Sequence, residues 1–386
     1  MRIKVTKAQY DILKQKVLLP LPVFLQYMAA EYPEYDKKTC YDFYLKTRAL
    51  VLEQPLFLHC ELTADCNLDC KMCYVHIEKE AIKKCRILTT EEWLDILRQA
   101  ADAGVYEVCL SGGEAMIHEG FWEIYEYLHK RGIIVSVFTN GLAITESAIK
   151  RFKALPPKEI QLSLYGTNNS TYEAVTGYRV FNAVDKAVSL IKEAGIPLIL
   201  AITPCKQLYN NISEIIDYAR AHKCRYRVNN MLIPARNETG RNNEGSYLTD
   251  EECANILKML PDVKNQPAVT DDDSLHQALD ETTDSIGVSC LSGMISCHIN
   301  YSGLMNGCAF LPISNINLLN TSFAEAWKLV HEKSLNYHLP LECVNCKHYE
   351  KCFKCPGIHY LTVGEGVCNK SICKRTEFYL QQGILR

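Results

Sequence analysis

Between residues 56 and about 233 the chain alternates two hydrophobic patterns. Short runs rich in branched and aromatic residues fall at 56–62, 106–110, 133–138, 159–164, 197–202 and 226–232. Between them apolar residues recur at helical spacing. Thr89-Thr90-Glu91-Glu92 reads as a capping box opening a helix over 93–103, with Gly104 at its C-terminal stop. Runs at 121–131 and 183–194 end on Gly132 and Gly195 in the same way. Strand then helix, six times over, predicts a parallel sheet with right-handed crossovers. Six units fall short of a closed eight-fold barrel. The expected fold is therefore α/β, a partial (β/α)6 TIM-like barrel with its active face at the C-terminal strand ends.

The flanks read differently. Residues 1–55 carry apolar positions at mixed helical spacing, broken by Pro20, Pro22 and Pro33, and are expected to be mostly helical. They would cap the barrel or join a recognition surface, with packing the preferred role. A loop-like stretch covers 234–245, and Leu248-Thr249-Asp250-Glu251-Glu252 opens another capped helix ending near Pro261. Asp271-Asp272-Asp273 reads as a solvated run, after which the composition turns to Cys, Gly and short elements. The expected organisation is 1–55 helical, 56–260 barrel and 261–386 a second, cysteine-rich domain.

Composition narrows the function. A net charge of -3 and a pI near 6.4 give no electrostatic case for nucleic acid. Polar residues break every apolar run before membrane-spanning length. Met1-Arg2-Ile3-Lys4-Val5 is followed by no sustained apolar core, so no signal peptide is expected and the setting is cytoplasmic. Nineteen cysteines in a reducing setting are expected to be either reduced or bound to metal. They cluster at 66–73, 290–308 and 343–373. Cys40, Cys60, Cys85, Cys109, Cys205, Cys224 and Cys253 stand singly and read as small buried hydrophobes.

Cys66, Cys70 and Cys73 follow the first strand at C-x3-C-x2-C spacing, with Tyr74 next. Three thiolates on one loop can grip an iron–sulfur cluster that normally takes four, leaving one iron open. The alternative is a zinc knuckle or redox pair. Ser111-Gly112-Gly113-Glu114 follows the second strand, Thr139-Asn140-Gly141 the third, and Ser163 lies on the fourth. Glycines allow close backbone approach, and a carboxylate suits an ammonium.

In combination these motifs resemble the radical S-adenosylmethionine (radical SAM) family. The resemblance implies a [4Fe–4S] cluster on Cys66, Cys70 and Cys73, with SAM on the open iron. It implies SAM contacts from Gly112, Gly113 and Glu114 to the methionine amino group, Asn140 to the ribose, Ser163 from the barrel wall and Arg179 to the carboxylate. Tyr74 would pack near the cluster and adenine.

Further on, Cys290 is followed by Gly303 and Cys308, then Cys343-x2-Cys346-x5-Cys352-x2-Cys355 and Cys373. This resembles the SPASM domain, which holds two auxiliary [4Fe–4S] clusters, making three clusters with SAM in all. Two residues separate Cys352 and Cys355 where the family usually has three. The resemblance implies Cys290, Cys297, Cys308 and Cys355 on the first auxiliary cluster, and Cys343, Cys346, Cys352 and Cys373 on the second, with Cys368 competing for the last place. A zinc ribbon is the alternative. If Cys297 were not a ligand, one auxiliary iron would be open.

The implied chemistry is reductive cleavage of SAM to a 5′-deoxyadenosyl radical, which takes a hydrogen atom from a peptide or protein. Oxidation to a thioether or carbon–carbon crosslink would follow. Flavodoxin or ferredoxin would supply the electron. Anaerobic sulfatase maturases share this plan but carry an aspartate after the equivalent of Cys308; here Ala309-Phe310 follows. Formylglycine formation and small-molecule oxidation are the alternatives. No catalytic acid or base is identifiable.

Overall fold

The computed structural model describes residue 3 and residues 5–229, 231–236, 240, 242–260, 290–353 and 355–385. The expected acidic run at 271–273 and the start of the cysteine-rich portion lie outside them.

Three helices come first: α1 Lys7–Lys16, α2 Leu21–Glu31 and α3 Lys37–Val51. Thr6 closes a capping box on α1, and Asp36 caps α3 by accepting from Thr39 N. Their core (Tyr10, Leu13, Phe24, Met28, Phe43, Tyr44) also takes in Leu56, Leu291 and Ile295. Those residues stand just before two neighbouring strands, so α1–α3 pack below the N-terminal strand ends, away from the Cys66–Cys73 loop.

Six strands follow in register: β1 Phe57–Glu61, β2 Glu107–Ser111, β3 Ile134–Thr139, β4 Glu159–Ser163, β5 Leu198–Ile202 and β6 Arg225–Val228. Each pairs in parallel with the next. The first connection holds the short α4 Lys79–Ile82 and then α5 Thr90–Asp102, which has the expected Thr89–Glu92 capping box. The other crossovers carry α6 Phe121–Lys130, α7 Glu146–Ala154, α8 Asn169–Thr176, α9 Phe181–Glu193 and α10 Ile212–Ala221. Then α11 Asp250–Met259 follows β6, capped by Thr249 and Glu252. Gly104, Gly132 and Gly195 take φ of +101°, +73° and +70°, the left-handed stops that the pattern predicts.

The sheet does not end with the six. Strand β7 Ser296–Ile299 pairs in parallel with β1, and β8 Leu304–Asn306 and β9 Ile316–Asn317 continue it antiparallel. The order is β6-β5-β4-β3-β2-β1-β7-β8-β9. One sheet thus runs across the division at residue 260. Four helices complete the chain: α12 Phe323–Leu335, α13 Leu341–Val344, α14 Pro356–Val363 and α15 Lys370–Gln381.

Alternation sorts the strand residues. Ile160, Leu162 and Leu164 are fully buried in the layer shared with the helices, while Gln161, Ser163 and Tyr165 on the other face are half-buried in the lumen. Among the described residues no helix is long and apolar enough to cross a membrane.

Candidate functional site

The Cys66–Cys73 loop leaves the C-terminal end of β1 and is wired down on three sides. Asp65 Oδ1 accepts from Cys66 N at 2.9 Å. Asp69 N and Lys71 N donate to Thr176 O and Val175 O at the end of α8. From the loop after β6, Asn243 Nδ2 donates to Met72 O at 3.0 Å and Arg236 N to Tyr74 O at 3.0 Å. The three thiols act on one another. Burial pushes Cys66 up to about 12 against a lowering hydrogen bond from Leu68 N, and Glu114 and Cys73 add to the rise. Cys70 is raised by burial and then by Cys73 and Cys66. Thiols packed this way resist ionising together unless a cation joins them. That donor set fits an iron–sulfur cluster. A cubane takes each thiolate on a different iron, so it does not need the single-ion convergence that is absent among the described residues.

The Gly112-Gly113-Glu114 stretch lies against this loop. A Cβ on Gly112 would stand 2.6 Å from Thr63 O, and one on Gly113 2.2 Å from Asp65 O. Gly113 N and Glu114 N donate to Thr63 O and Asp65 O at 2.8 and 2.9 Å. The glycines therefore let one backbone approach another here. Glu114 is 1 % exposed. Its oxygens accept from Asn140 N at 2.7 Å, Thr139 Oγ1 at 2.9 Å and Met116 N at 3.0 Å. Burial raises its carboxyl against these lowering bonds. Asn140 Nδ2 in turn donates to Asn67 Oδ1 at 2.6 Å and reaches Cys66 Sγ at 3.8 Å. Residues 66, 114 and 140 are one connected group.

Ser163 joins it through Tyr165. The two side chains are hydrogen-bonded, and burial drives the Tyr165 phenol well up, with Cys70 adding to the rise. Cys205, at the end of β5, also acts on Cys70. Arg179 is not brought into the group: it pairs with Glu173 at 2.7 Å on the exposed surface. Tyr74 turns toward the C-terminal portion, its ring edge-on to Phe310 at 5.0 Å.

Sequence reading missed a charged floor in the lumen. Glu61, 2 % exposed, receives both arms of Arg236 at 3.0 and 2.9 Å and faces His298 Nε2 at 3.2 Å. Burial alone would raise its carboxyl; His298 and Arg236 outweigh it and hold the group well below the usual carboxylate range. His59 hydrogen-bonds Ser111 Oγ at 2.5 Å and is held down to about 4 by burial and then by His298. Strand alternation places His59, Glu61 and Ser111 in the lumen, and that signal was available. Arg236 lies in a loop with no periodicity, and His298 comes from a strand whose partner is 239 positions away.

The C-terminal cysteines form two groups. Gly307 passes Gly293 so closely that a Cβ would meet the Gly293 backbone at 3.0 Å, and a Cβ on Gly357 would meet Phe310 Cβ at 2.6 Å. These approaches gather Cys290, Cys308 and Cys355. Burial pushes Cys308 up to about 12, with Cys290 and Cys355 adding. Cys297 is not gathered with them. It is 2 % exposed on β7 opposite Leu58, its Sγ 3.9 Å from Phe57 O, in the main core. In the second group, burial pushes Cys343 up to about 12, and Cys368, Cys373 and Cys352 add. Cys368 and Cys373 sulfurs are 3.7 Å apart, and Thr376 Oγ1 donates to Cys352 Sγ at 3.4 Å. Cys346 Sγ accepts from His348 N at 3.5 Å.

Comparison with known proteins adds to this geometry. Residues 60–221 match the model of the radical SAM superfamily. Sporulation killing factor maturation protein SkfB of Bacillus subtilis is 26 % identical over 298 residues, covering 76 % of this chain and 68 % of SkfB. The PqqA peptide cyclase of Granulibacter bethesdensis is 32 % identical over 173 residues, 44 % of this chain and 45 % of the cyclase. The match thus spans under half of that enzyme. Streptococcus suis SuiB bound to S-adenosylmethionine has the same fold, with a TM-score of 0.64, 17 % identity and 92 % of each chain covered. SuiB bound to its precursor peptide SuiA superposes at 0.62, with 18 % identity over 88 % of this chain and 82 % of that one.

Proposed function

We propose, from the match of residues 60–221 to the radical SAM superfamily, that the chain is a radical SAM enzyme that modifies a peptide or protein oxidatively, with a thioether or carbon–carbon crosslink as the product. The observation that carries the reading is the connected group of Cys66, Cys70, Cys73, Glu114 and Asn140 at the strand ends. Cys66, Cys70 and Cys73 would hold a [4Fe–4S] cluster with one iron left for SAM. When bound, these groups supply the electron and the 5′-deoxyadenosyl radical that takes a hydrogen atom from substrate. The protein's own part is orientation and shielding. Glu114 fixes the Thr139–Asn140 turn, and its remaining lone-pair position suits an ammonium. Asn140, bridging to Asn67 and Cys66, lines the ribose side. The Ser163–Tyr165 pair walls the lumen beside Cys70. Cys290, Cys308 and Cys355 would hold one auxiliary cluster and Cys343, Cys352 and Cys373 a second, which would supply an acceptor for the second electron; a flavodoxin or ferredoxin would supply the first.

A peptide substrate is supported by relatives whose names and complexes speak of peptides, the PqqA peptide cyclase and SuiB with SuiA. Phe310 supports crosslinking over formylglycine formation. The residue after Cys308 and its neighbour are apolar, and Phe310 is packed between Tyr74 and Gly357, so no carboxylate stands there. The test is anaerobic reconstitution, reduction and incubation with SAM. We expect 5′-deoxyadenosine, none from the C66A/C70A/C73A variant, and a loss of two hydrogens by mass spectrometry in a short peptide encoded beside the gene. Formylglycine in a sulfatase peptide would overturn the crosslinking reading, and 5′-deoxyadenosine from the triple variant would overturn the site.

A further inference from the structure

We propose that His359 is a ligand of the first auxiliary cluster, completing the set begun by Cys290, Cys308 and Cys355 in the place expected for Cys297. The inference rests on the auxiliary-cluster reading above and deepens it.

Cys297 is turned the wrong way. Successive residues of a strand point to opposite faces, and His298 faces Glu61 and His59 in the lumen. Cys297 therefore faces the helix layer, where it belongs to the main core. Cys290 and Cys308 sit against a separate small core of Leu311 and Tyr337. Moving Cys297 across would mean rotating β7 out of its register with β1. The gathered set is three thiols, while a [4Fe–4S] cluster normally takes four protein ligands.

His359 supplies what is missing. It is 3 % exposed, and neither ring nitrogen has a hydrogen-bond partner among the described residues. An orphaned buried polar group is unfavourable, so native structures seldom keep one without a use. Its position is specific. Cys355 caps α14, and His359 N donates to Cys355 O at 3.1 Å, one turn on. Helix side chains lean toward the N-terminus, so the imidazole leans toward the turn that carries Cys355. Tyr360, the next residue, packs on the same small core as Cys290 and Cys308. Imidazole is an accepted iron–sulfur ligand, as in Rieske centres, where it replaces thiolate and raises the potential. Ligation needs only one ring nitrogen's lone pair; the ring proton stays on the other.

The test uses the full-length C66A/C70A/C73A chain, which keeps only the auxiliary sites, reconstituted anaerobically with iron and sulfide and then reduced. We expect about eight irons per chain, from two [4Fe–4S] clusters. Pulsed electron paramagnetic resonance should show a nitrogen coupling that changes when histidine is labelled with ¹⁵N. Adding Cys297→Ala should leave both unchanged. Adding His359→Cys should keep the iron, abolish the coupling and lower one midpoint potential, and it guards against a His359→Ala variant that fails to fold. Eight irons with no histidine coupling, or a fall to about four irons in C297A, would overturn the ligand assignment alone. A chain that binds almost no iron would overturn the auxiliary-cluster reading and this inference with it.

Discussion

A carboxylate 2 % exposed stays ionised only if other groups hold its charge, and for Glu61 those groups are Arg236 and His298. Removing one partner of a buried pair leaves a bare charge, which is destabilising by about 3–5 kcal/mol. Arg236→Ala should therefore shift the guanidinium unfolding curve of the metal-free protein by about that much. Arg236→Lys, which keeps charge but loses the two-armed geometry, should fall between. Leucine at both positions should recover most of the loss. A shift below about 1 kcal/mol for R236A would show that the guanidinium does not hold Glu61. His59 makes a separate prediction about pH. Its folded value is about 4 against an ordinary 6.5, so between those values the unfolded chain binds a proton that the folded chain does not. The His59 contribution should be full above pH 6.5 and fall by about 1.4 kcal/mol per unit as pH drops toward 4. Glu61, also held low, loses its contribution only below the usual carboxylate range, so the upper part of the window belongs to imidazoles: His59, and with it His118, His129 and His359, which burial also holds down. Unfolding midpoints taken across that range should flatten in His59→Gln; an unchanged slope would refute the assignment.

At the scale of elements, the two kinds of glycine separate packing from conformation. Gly195 ends α9 with φ of +70° and open space where a Cβ would go. Ala there should be destabilising by about 1 kcal/mol through the left-handed backbone alone. Gly113 has no such excuse. Its Cβ would meet Asp65 backbone at 2.2 Å, pushing the cluster loop away from β2. Gly113→Ala should cut 5′-deoxyadenosine formation at least tenfold and lower bound iron by about four atoms, while G195A keeps both. Equal effects in the two variants would mean that the Gly113 contact does not set the loop. These elements also explain what was legible. All six parallel strands could be read because each is a short apolar run set off from the next by helical segments, and local pattern carries that information. Strand β7 could not. Its four residues, Ser296–Ile299, are too short and mixed to show a period, and what makes them a strand is the edge of β1. The cluster loop, Glu114 and Asn140 were legible as motifs at strand ends. Arg236, His298 and the turning away of Cys297 depended on β7 and on a loop, so they became visible only in three dimensions.

At the scale of the molecule, the cysteine-rich portion is part of the barrel's structure. It supplies β7, which covers the β1 edge along 57–60, and Ile295 O, which receives Leu56 N and Phe57 N at 2.7 and 3.0 Å. Leu291 and Ile295 complete the core beneath α1–α3. On the outer side Trp327 Nε1 donates to Glu53 O at 2.7 Å, and Arg375 of α15 pairs with Asp250 of α11 at 2.5 Å. Cutting at residue 260 would therefore bare a hydrophobic strand edge, open the helical core and strip a partner from α11. An unpaired edge of this kind invites aggregation. Residues 1–260 expressed alone should be insoluble, or compact without a cooperative unfolding transition and with strong binding of a hydrophobic dye. Co-expression of 261–386 as a separate chain should restore a soluble complex that unfolds in one step, because every contact named here is noncovalent. A soluble 1–260 fragment with a sharp transition of its own would show that the barrel closes its edge without β7, and that the shared sheet follows from folding without being needed for it.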